Sequence, residues 1–289
     1  MAIDQGYVYL KNSGFVNILN ILWGALRLFE SYNKKYNKVI PIVYNCNLWN
    51  GITDFYDIDY PDFKVHNLDY KTLNILNIKD AEKEAFESKK DLVDVVHETL
   101  ATTLHFYKQY RIPPAVFFKK FKLKKWVVDK IIEIQNKLSN HYIGIHVRGG
   151  DYTFKYQTHE EFIKVNSQFI EQILREHKGK KILFCSDAQE LIERYVDSDK
   201  ICNFSIYLDL IKKNKKIPSG VSLHTSPNLM ASLEVSEQSL CETTILDFYL
   251  LMFSKILYTN QHEYSTFAET LKNYNKYILD TNICLNQQL

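Results

Sequence analysis

The sequence lacks the features that mark membrane and secreted proteins. No segment has the ~18 uninterrupted apolar residues that a spanning helix needs. The first residues show neither the basic start nor the apolar core of a secretory signal. We therefore expect a cytoplasmic protein without an integral membrane segment.

The sequence also lacks an excess of charge of either sign. Lysine and arginine total 36, and aspartate and glutamate total 34, which gives a formal net charge of +2. A chain with this balance has no global field that would attract nucleic acid or an anionic membrane. Any anion site must therefore be local, and we expect no nucleic-acid partner.

Cysteine is scarce, and its spacing fits neither a disulfide framework nor a zinc site. The chain has no C-x-x-C pair and no histidine at zinc-ligand spacing. The five cysteines are Cys46, Cys185, Cys202, Cys241 and Cys284. An odd, scattered set is typical of reduced thiols in the cytosol.

Several nucleotide and metal motifs are missing as well. The chain contains neither G-x-x-x-x-G-K-[ST] nor G-x-G-x-x-G, which argues against a P-loop ATPase and an NAD enzyme. No Ser-His-Asp or Cys-His set has a motif context. Two Asp-x-Asp triplets, at 57–59 and 197–199, have a spacing at which carboxylates can share a magnesium ion. Neither clearly follows a buried strand, so we expect no metal.

The first half of the chain begins as a β-loop-α-β unit. Residues 7–10 (YVYL) and 38–44 (KVIPIVY) have the composition of strands, and the run from 16 to 32 has helical periodicity. Residues 80–110 also favour helix and stop before a Pro-Pro pair. The stretch 48–80, rich in Tyr, Asp and Asn, predicts no single element.

The second half alternates strands and helices more regularly. Apolar runs predict strands at 142–147, 180–187, 205–209, 256–260 and 276–280. Amphipathic spacing predicts helices at 126–140, 159–179, 239–255 and from Ser265 onward. This alternation is typical of parallel βαβ units. We expect an α/β fold of two domains, residues 1–140 and 141–289.

Polar groups are concentrated where the predicted strands end. Residues 143–152 read IGIHVRGGDY, so an apolar strand carries His146 and is followed at once by Arg148 and Asp151. The next strand ends at Asp187. Because ligands of parallel sheets bind beyond the carboxyl ends of the strands, these groups mark the expected site.

The residue types at these strand ends suit a nucleotide diphosphate. Arg148 offers a planar fork of donors that matches a pair of phosphate oxygens, and the two glycines after it let backbone N–H groups approach the same anion. Ser265 and Thr266 are predicted to lie where a helix begins, which favours a second phosphate cradle. The Asp187 carboxylate can accept the N–H and NH₂ edge that guanine presents.

Each of these residues also has a purely structural interpretation. His146 alone fits a buried, satisfied core histidine. Asp187 and Ser265 fit helix N-caps. Arg148, at the end of a buried parallel strand, needs an anionic partner, and Asp151 is the local alternative to a ligand.

Several stretches taken together resemble a known enzyme superfamily. IGIHVRGGDY resembles the H-x-R-R-x-D-Y motif of the inverting α-1,2-fucosyltransferases and is similar to the corresponding loop of α-1,6- and protein O-fucosyltransferases. LFCSDAQE resembles their strand that ends in an aspartate. ILDFYLLMFSKILYTNQHEYSTFAETL resembles their final helix, strand and hydroxyl cluster, and residues 13–17 (SGFVN) resemble a degenerate G-x-G-N-Q turn. The resemblance covers most of 141–279 and part of 6–45, and is closest to the α-1,2 enzymes.

The resemblance implies a GT-B-like α/β fold, in which two Rossmann-like lobes with parallel sheets enclose a cleft. The second lobe would bind the donor and the first would face the acceptor. It implies a glycosyltransferase that moves fucose from GDP-fucose to a glycan hydroxyl with inversion and needs no metal. The expected partners are thus a nucleotide sugar and an oligosaccharide or glycan acceptor.

The resemblance also implies roles for individual residues. Arg148 would hold the β-phosphate as the catalytic residue, while His146 and Asp187 would read the guanine. Asp151 and Gly150 would position the loop. The remaining donor-binding residues would be Gly14, Asn17, Ser265, Thr266 and Phe267.

This chain departs from the motif at three places. Gly149 stands where the superfamily usually has a second arginine, Val16 replaces a glycine, and Ala268-Glu269 replace paired tryptophans. Three alternatives therefore stay open. The chain could use another GDP sugar, be an inactive nucleotide- or glycan-binding relative, or be a structural α/β protein in which the arginine is paired internally.

The acceptor side of the reaction is marked less clearly. His159, Glu160 and Asp54 are candidates for the general base. Acceptor specificity is expected in the Tyr- and Asp-rich stretch 48–70. Two lysine-rich runs are either solvated surface or an anion patch on the acceptor side: 119–126 and 212–216.

Overall fold

Two parallel sheets organise the protein. The computed structural model describes residues 6–10, 14–65, 75–98, 103–105, 112–139, 141–149, 155–219, 221–260 and 263–272. The chain divides into two compact units, Met1–Leu123 and Lys124–Leu289, each built around one of the sheets. The predicted α/β class with parallel sheets is confirmed.

A five-stranded parallel sheet forms the centre of the first unit. The strands of this unit are β1 (Gly6–Leu10), β2 (Ile42–Cys46), β3 (Tyr56–Ile58), β4 (Phe63–Val65), β5 (Ile75–Asn77), β6 (Thr103–His105) and β7 (Phe121–Leu123). Five of them run parallel in the order β4-β2-β1-β6-β5, while β3 and β7 pair antiparallel. Since β2 and β6 flank β1 on opposite sides, the topological switch point lies between β1 and β6.

The helices of the first unit follow the strands as the βαβ pattern predicts. They are α1 (Phe15–Tyr36), α2 (Ile52–Phe55), α3 (Ile78–Ser88), α4 (Leu92–Glu98) and α5 (Pro114–Lys120), with a 3₁₀ turn at Asn47–Trp49. α1 ends at Asn37, whose φ of 50° lies in the left-handed region that closes helices. Its last turn is held to α4 by the Tyr36 hydroxyl, which donates to the Asp94 carboxylate at 2.6 Å.

A four-stranded parallel sheet forms the centre of the second unit. Its strands are β8 (Ile143–Val147), β9 (Ile182–Ser186), β10 (Ile201–Cys202) and β11 (Ile256–Thr259), in the order β10-β9-β8-β11. All five residues of β8 and all five of β9 are buried. A strand covered on both faces needs apolar residues at every position, which explains the unbroken runs in the sequence. The switch point lies between β8 and β11.

The helices of the second unit include both amphipathic and fully apolar ones. They are α6 (Lys125–Leu138), α7 (His159–Glu176), α8 (Gln189–Glu193), α9 (Ile206–Lys212), α10 (Pro227–Ser232), α11 (Glu237–Phe253) and α12 (Glu263–Lys272), with a 3₁₀ turn at Leu223–Thr225. The Thr158 side chain caps α7 by accepting the Glu161 N–H. α11 buries residues all round its circumference, as a helix in the interior of a unit must.

Two element predictions are wrong. Residues 205–209 begin helix α9 instead of forming a strand, with Tyr207 and Leu210 buried three positions apart. A short apolar run does not distinguish strand from helix by its periodicity. The run 80–110, predicted as helix, contains strand β6, which forms because β1 and β5 pair with it from distant parts of the chain.

The two compact units divide between Leu123 and Lys124, before α6, whereas the sequence places the domain boundary near residue 140.

Some predictions fall outside the described residues. They concern the strand at 276–280, the turn residue Ser13, and the loop-positioning residues Gly150 and Asp151. Among the helices in the described ranges, none is long and apolar enough to cross a membrane.

Candidate functional site

Arg148 lies at the carboxyl end of β8, beside the switch point of the second sheet. Its backbone is fixed by the side chain of Asn260, which follows β11. The Arg148 N–H donates to Asn260 Oδ1 at 3.0 Å, and Asn260 Nδ2 donates to the Arg148 carbonyl at 2.9 Å. The Asn260 N–H also donates to the His146 carbonyl at 3.3 Å. The Asn260 amide therefore extends the ladder between β11 and β8 by one residue.

The Arg148 side chain is paired with Asp187, which follows β9. Arg148 Nη1 contacts Asp187 Oδ2 in an ion pair whose side chains are 17% and 8% exposed. The other oxygen, Asp187 Oδ1, accepts the Gly149 N–H at 2.6 Å. Asp187 therefore neutralises Arg148 and holds the chain that leaves β8. The internal partner that the sequence suggested, Asp151, lies outside the described residues.

The loops after β8 and β9 approach each other closely. Ser186 Oγ donates to the Val147 carbonyl at 2.7 Å and accepts the Ala188 N–H at 3.0 Å. A Cβ placed on Gly149 would lie 2.5 Å from Ala188 Cβ and 3.1 Å from both Ala188 Cα and N. Position 149 therefore needs glycine, and the second arginine of the resembled motif does not fit there unless Ala188 moves.

His146 lies beneath these loops at 6% exposure. Its ring centroid is 5.1 Å from that of Tyr264 in α12, and the Tyr264 hydroxyl donates to the Thr244 carbonyl in α11. His146 is thus packed against Tyr264, which joins α12 to α11. This position is compatible with the predicted contact between His146 and guanine, and also with the interpretation of His146 as a buried core histidine.

A carboxylate that the motif comparison did not single out lies close by in α11. Asp247 is half-buried, and burial raises the pKa of its carboxyl group to about 7, although the Cys185 thiol donates a hydrogen bond that acts in the opposite direction. Burial and the Asp247 charge raise the pKa of Tyr264 as well. One weak thiol donor does not compensate for the hydration that burial removes. A further hydrogen-bond donor would therefore stabilise the Asp247 carboxylate.

Sequence reasoning missed Asp247 and Asn260, although both leave a signal. Asp247 is the single charged residue in the apolar run TTILDFYLLMF, and a charge inside an all-apolar helix needs a reason. Asn260 directly follows the apolar run of β11, where a polar side chain can reach the neighbouring strand ends.

The hydroxyl cluster at 265–267 differs in detail from the prediction. α12 begins at Glu263, so Ser265 lies inside its first turn and its interpretation as an N-cap is wrong. Ser265 is fully buried, and its hydroxyl is 2.5 Å from the Thr259 hydroxyl of β11. Thr266 is exposed, and Phe267 is half-buried against the Phe248 ring at a centroid distance of 5.8 Å.

Gly14 and Asn17 lie in the first unit, at the turn from β1 to α1. Gly14 is the exposed N-cap of α1, and a Cβ there would meet nothing within 4 Å. Asn17 is half-buried in the first turn of the helix, where backbone N–H groups have no helical acceptor. This turn follows β1, next to the switch point of the first sheet. Their role toward the donor stays a prediction.

The described residues hold no cluster of three or more His, Cys, Asp or Glu that could bind a metal ion. Asp57 lies opposite Lys122 in the β3–β7 pair, and Asp197 and Asp199 are exposed. Metal independence stays a prediction.

Similarity to known proteins is found only among solved structures. No protein-family model and no curated protein matches the chain. The chain is similar to crystal structures of the NodZ α-1,6-fucosyltransferase, one co-crystallised with GDP and one soaked with GDP-fucose. Each has a TM-score of 0.51 and 14% identity and covers 92% of both chains. A structure of fucosyltransferase NodZ from Bradyrhizobium has the same TM-score at 15% identity and covers 92% of this chain and 93% of that one. At this identity the likeness shows a shared fold.

Proposed function

We propose that this protein is a glycosyltransferase that transfers fucose from GDP-fucose to a glycan hydroxyl, with inversion and without a metal ion. The observation that carries the proposal is the guanidinium of Arg148 at the carboxyl end of β8, beside the switch point of a parallel sheet. The shared fold with a fucosyltransferase crystallised with GDP supports it.

Arg148 acts on the leaving group in this proposal. Its side chain exchanges Asp187 for the β-phosphate when the donor binds, while Asp187 keeps the Gly149 N–H. A fixed cation at the departing oxygen stabilises the transition state more than the ground state, because negative charge grows there as the bond breaks.

Inversion follows from a single displacement at the anomeric carbon. The acceptor oxygen forms its bond to that carbon as the bond to the phosphate oxygen breaks. The electron pair leaves with GDP, and the acceptor proton passes to a general base. Of the candidates, His159 Nε2 is 3.3 Å from Glu190 Oε1, Glu160 lies beside it in α7, and Asp54 belongs to the first unit.

The base of the nucleotide has two candidate carboxylates. Both oxygens of Asp187 already contact donors of the protein, namely Arg148 and the Gly149 N–H. Asp247 has only the Cys185 thiol as a described donor. We therefore assign the guanine N–H edge to His146 and Asp247, with Asp187 positioning Arg148.

The proposal is tested by titrating the protein with GDP, UDP and ADP in a calorimeter, in buffer containing EDTA. We expect GDP to bind most tightly and chelation to leave its affinity unchanged. Transfer from GDP-fucose and GDP-mannose to a glycan panel then identifies the donor. Absence of GDP binding, or binding that requires a divalent metal, contradicts the proposal.

A second candidate is a nucleotide-binding relative without transferase activity. The internally neutralised Arg148 and the glycine at position 149 favour it, because the site then presents less positive charge to a diphosphate. Tight GDP binding without turnover of either GDP sugar, by hydrolysis or transfer, identifies this case.

A further inference from the structure

A groove runs between α7 and α8 on the second unit. It has a volume of about 560 Å³, and we call it the α7–α8 groove. Its wall is formed mainly by one face of α7, with α8 and the loop after α9 opposite. The residues that line it are His159, Glu160, Ile163, Lys164, Ser167, Gln168, Glu171, Glu190, Arg194 and Ser219.

One end of the groove adjoins the Arg148 site. His159 is the first residue of α7 and Glu190 the second of α8, so both lie where chains leave the carboxyl edge of the sheet. A smaller cavity shares these two residues and is also lined by Asp187. A ligand lying in the groove would therefore reach toward the arginine pair.

The charges of the groove suit a ligand that is polar but uncharged. Its three carboxylates, Glu160, Glu171 and Glu190, are nearly balanced by Lys164 and Arg194. Within the described part of the chain, neither of these two cations forms an ion pair. Hydroxyl groups can donate to carboxylates and accept from cations at once, whereas a strongly charged ligand meets repulsion from one set.

The floor of the groove contains a buried hydroxyl that lacks a partner. Ser167 is 6% exposed, and among the described residues its Oγ has no hydrogen-bond partner. A buried polar atom without a partner is uncommon and costs free energy. Ile163, 7% exposed, lies one turn away on the same face and offers an apolar surface to the C–H face of a sugar ring.

We infer that the α7–α8 groove binds a neutral oligosaccharide of two or three units, which is the acceptor chain of the reaction. The inference rests on the proposed function for its role as acceptor, but not for the binding itself. The volume lies within the range of about 300–1,000 Å³ that holds small-molecule ligands. The Ser219 hydroxyl, which donates to Glu190, helps to fix the carboxylate at the end near Asp187.

The test is a titration of the intact protein with maltotriose, cellotriose and chitotriose, and with trigalacturonic acid as an anionic probe, followed by saturation-transfer NMR. We expect at least one neutral trisaccharide to bind and the anionic one not to bind. Lys164→Ala and Glu171→Gln should each weaken the neutral sugar by about fivefold, as the loss of one hydrogen bond does. Arg175→Ala, an exposed cation elsewhere on α7, is the matched control and should have no effect.

Ser167→Ala separates binding from structure. Removing a hydroxyl that has no described partner should leave the melting temperature equal or higher, while sugar affinity falls. GDP affinity, measured in parallel, should stay unchanged in every groove variant. If the wild-type protein does not bind GDP, the proposed function is contradicted, but the sugar titration still tests whether the groove binds an oligosaccharide. No binding of any neutral trisaccharide, preference for the anionic probe, or an equal effect of Arg175→Ala overturns the groove assignment.

Discussion

The Arg148–Asp187 pair sets the state of the site before any ligand arrives. Each side chain is mostly buried, so removing one partner leaves a charge without compensation, which is costlier than losing the pair as a whole. Asp187 also holds the Gly149 N–H. Variants of this pair must therefore separate the effect of removing the charge from the effect of removing the hydrogen bond between Asp187 and the Gly149 N–H.

Arg148→Lys should lower turnover by about a hundredfold, the usual cost of one transition-state contact, because an ammonium lacks the planar fork. The fold should persist, since the charge opposite Asp187 is kept. Steady-state kinetics and thermal melting measure the two effects. Arg148→Ala with Asp187→Asn is the control without a stranded charge, and wild-type turnover in either variant contradicts the role of Arg148.

Asp247 gives stability a pH dependence. Its pKa is about 7 in the folded protein and about 4 in an unfolded chain. Between these values the folded state keeps a proton that the unfolded state has lost, so this group makes stability fall as pH rises from about 4 to 7 and level off above. Asp247→Asn should remove that part of the slope, making the variant more stable than wild type at pH 8 but not at pH 4.

Denaturant unfolding at several pH values measures this dependence. The same variant should bind GDP more weakly, because an amide NH₂ replaces an acceptor facing the guanine edge. Unchanged slope and unchanged GDP affinity would show that Asp247 serves neither purpose.

The sequence predicts part of the site at this scale and misses the rest for a physical reason. Arg148 and Asp187 were found because they follow buried strands. Their contact with each other was not, since Asp151 is nearer in sequence and only the pairing of β8 with β9 brings Asp187 into reach. Asp247 was missed because its chemistry arises from burial in α11, which depends on the packing of distant segments.

At the scale of elements, strand ends are joined by side chains rather than by backbone alone. Asn260 links β11 to the residue after β8, and Ser186 links β9 to the end of β8. These contacts lie where a parallel sheet has no further strand residues to pair. They hold the two loops that carry Arg148 and Asp187.

Asn260→Ala should weaken GDP binding about tenfold and lower stability by about 2 kcal/mol, since two hydrogen bonds to the Arg148 backbone are lost. Asn203→Ala is a matched control, because Asn203 also donates to a strand carbonyl, that of Phe184 at 2.7 Å. The control should lose stability without losing GDP affinity. Calorimetry and denaturant unfolding report the two quantities, and equal effects on GDP affinity in both variants refute the positioning role of Asn260.

Gly149→Ala should destabilise the protein by about 1–3 kcal/mol, as overpacking does, because the new methyl group meets Ala188. Ala188→Gly should restore part of the loss in the double variant. A double-mutant cycle in urea measures the coupling. Purely additive changes in the free energy of unfolding would mean that positions 149 and 188 are not in steric contact.

The sequence predicts elements well where burial acts on every residue. β8 and β9 were predicted to within two residues, because strands covered on both faces show as unbroken apolar runs. β6 and α9 were misread because three to seven residues carry too little periodic signal, and the partners that decide their state lie far along the chain.

At the scale of the whole molecule, the near-neutral net charge leaves anion binding to local groups. The lysine-rich run 119–126 is largely engaged within the protein. Lys120 pairs with Glu30, Lys122 faces Asp57, and Lys125 pairs with Asp129 at 2.7 Å. The interpretation of this run as surface fits these contacts better than an anion patch does.

GDP should stabilise the protein by about 3 kcal/mol when present at a hundredfold excess over its Kd. Because the second unit carries Arg148, the shift should appear in the transition of that unit when the two units unfold separately. Differential scanning calorimetry with EDTA present measures it. UDP at the same concentration is the control, and an equal shift with UDP contradicts guanine recognition.

The close approach of Gly149 and Ala188 also restricts which residues position 149 can accept. A side chain at position 149 would meet Ala188 Cβ at 2.5 Å, so an arginine there needs a smaller residue at position 188 or a shift of the loop after β9. The packing of these two loops therefore favours a single arginine at this turn.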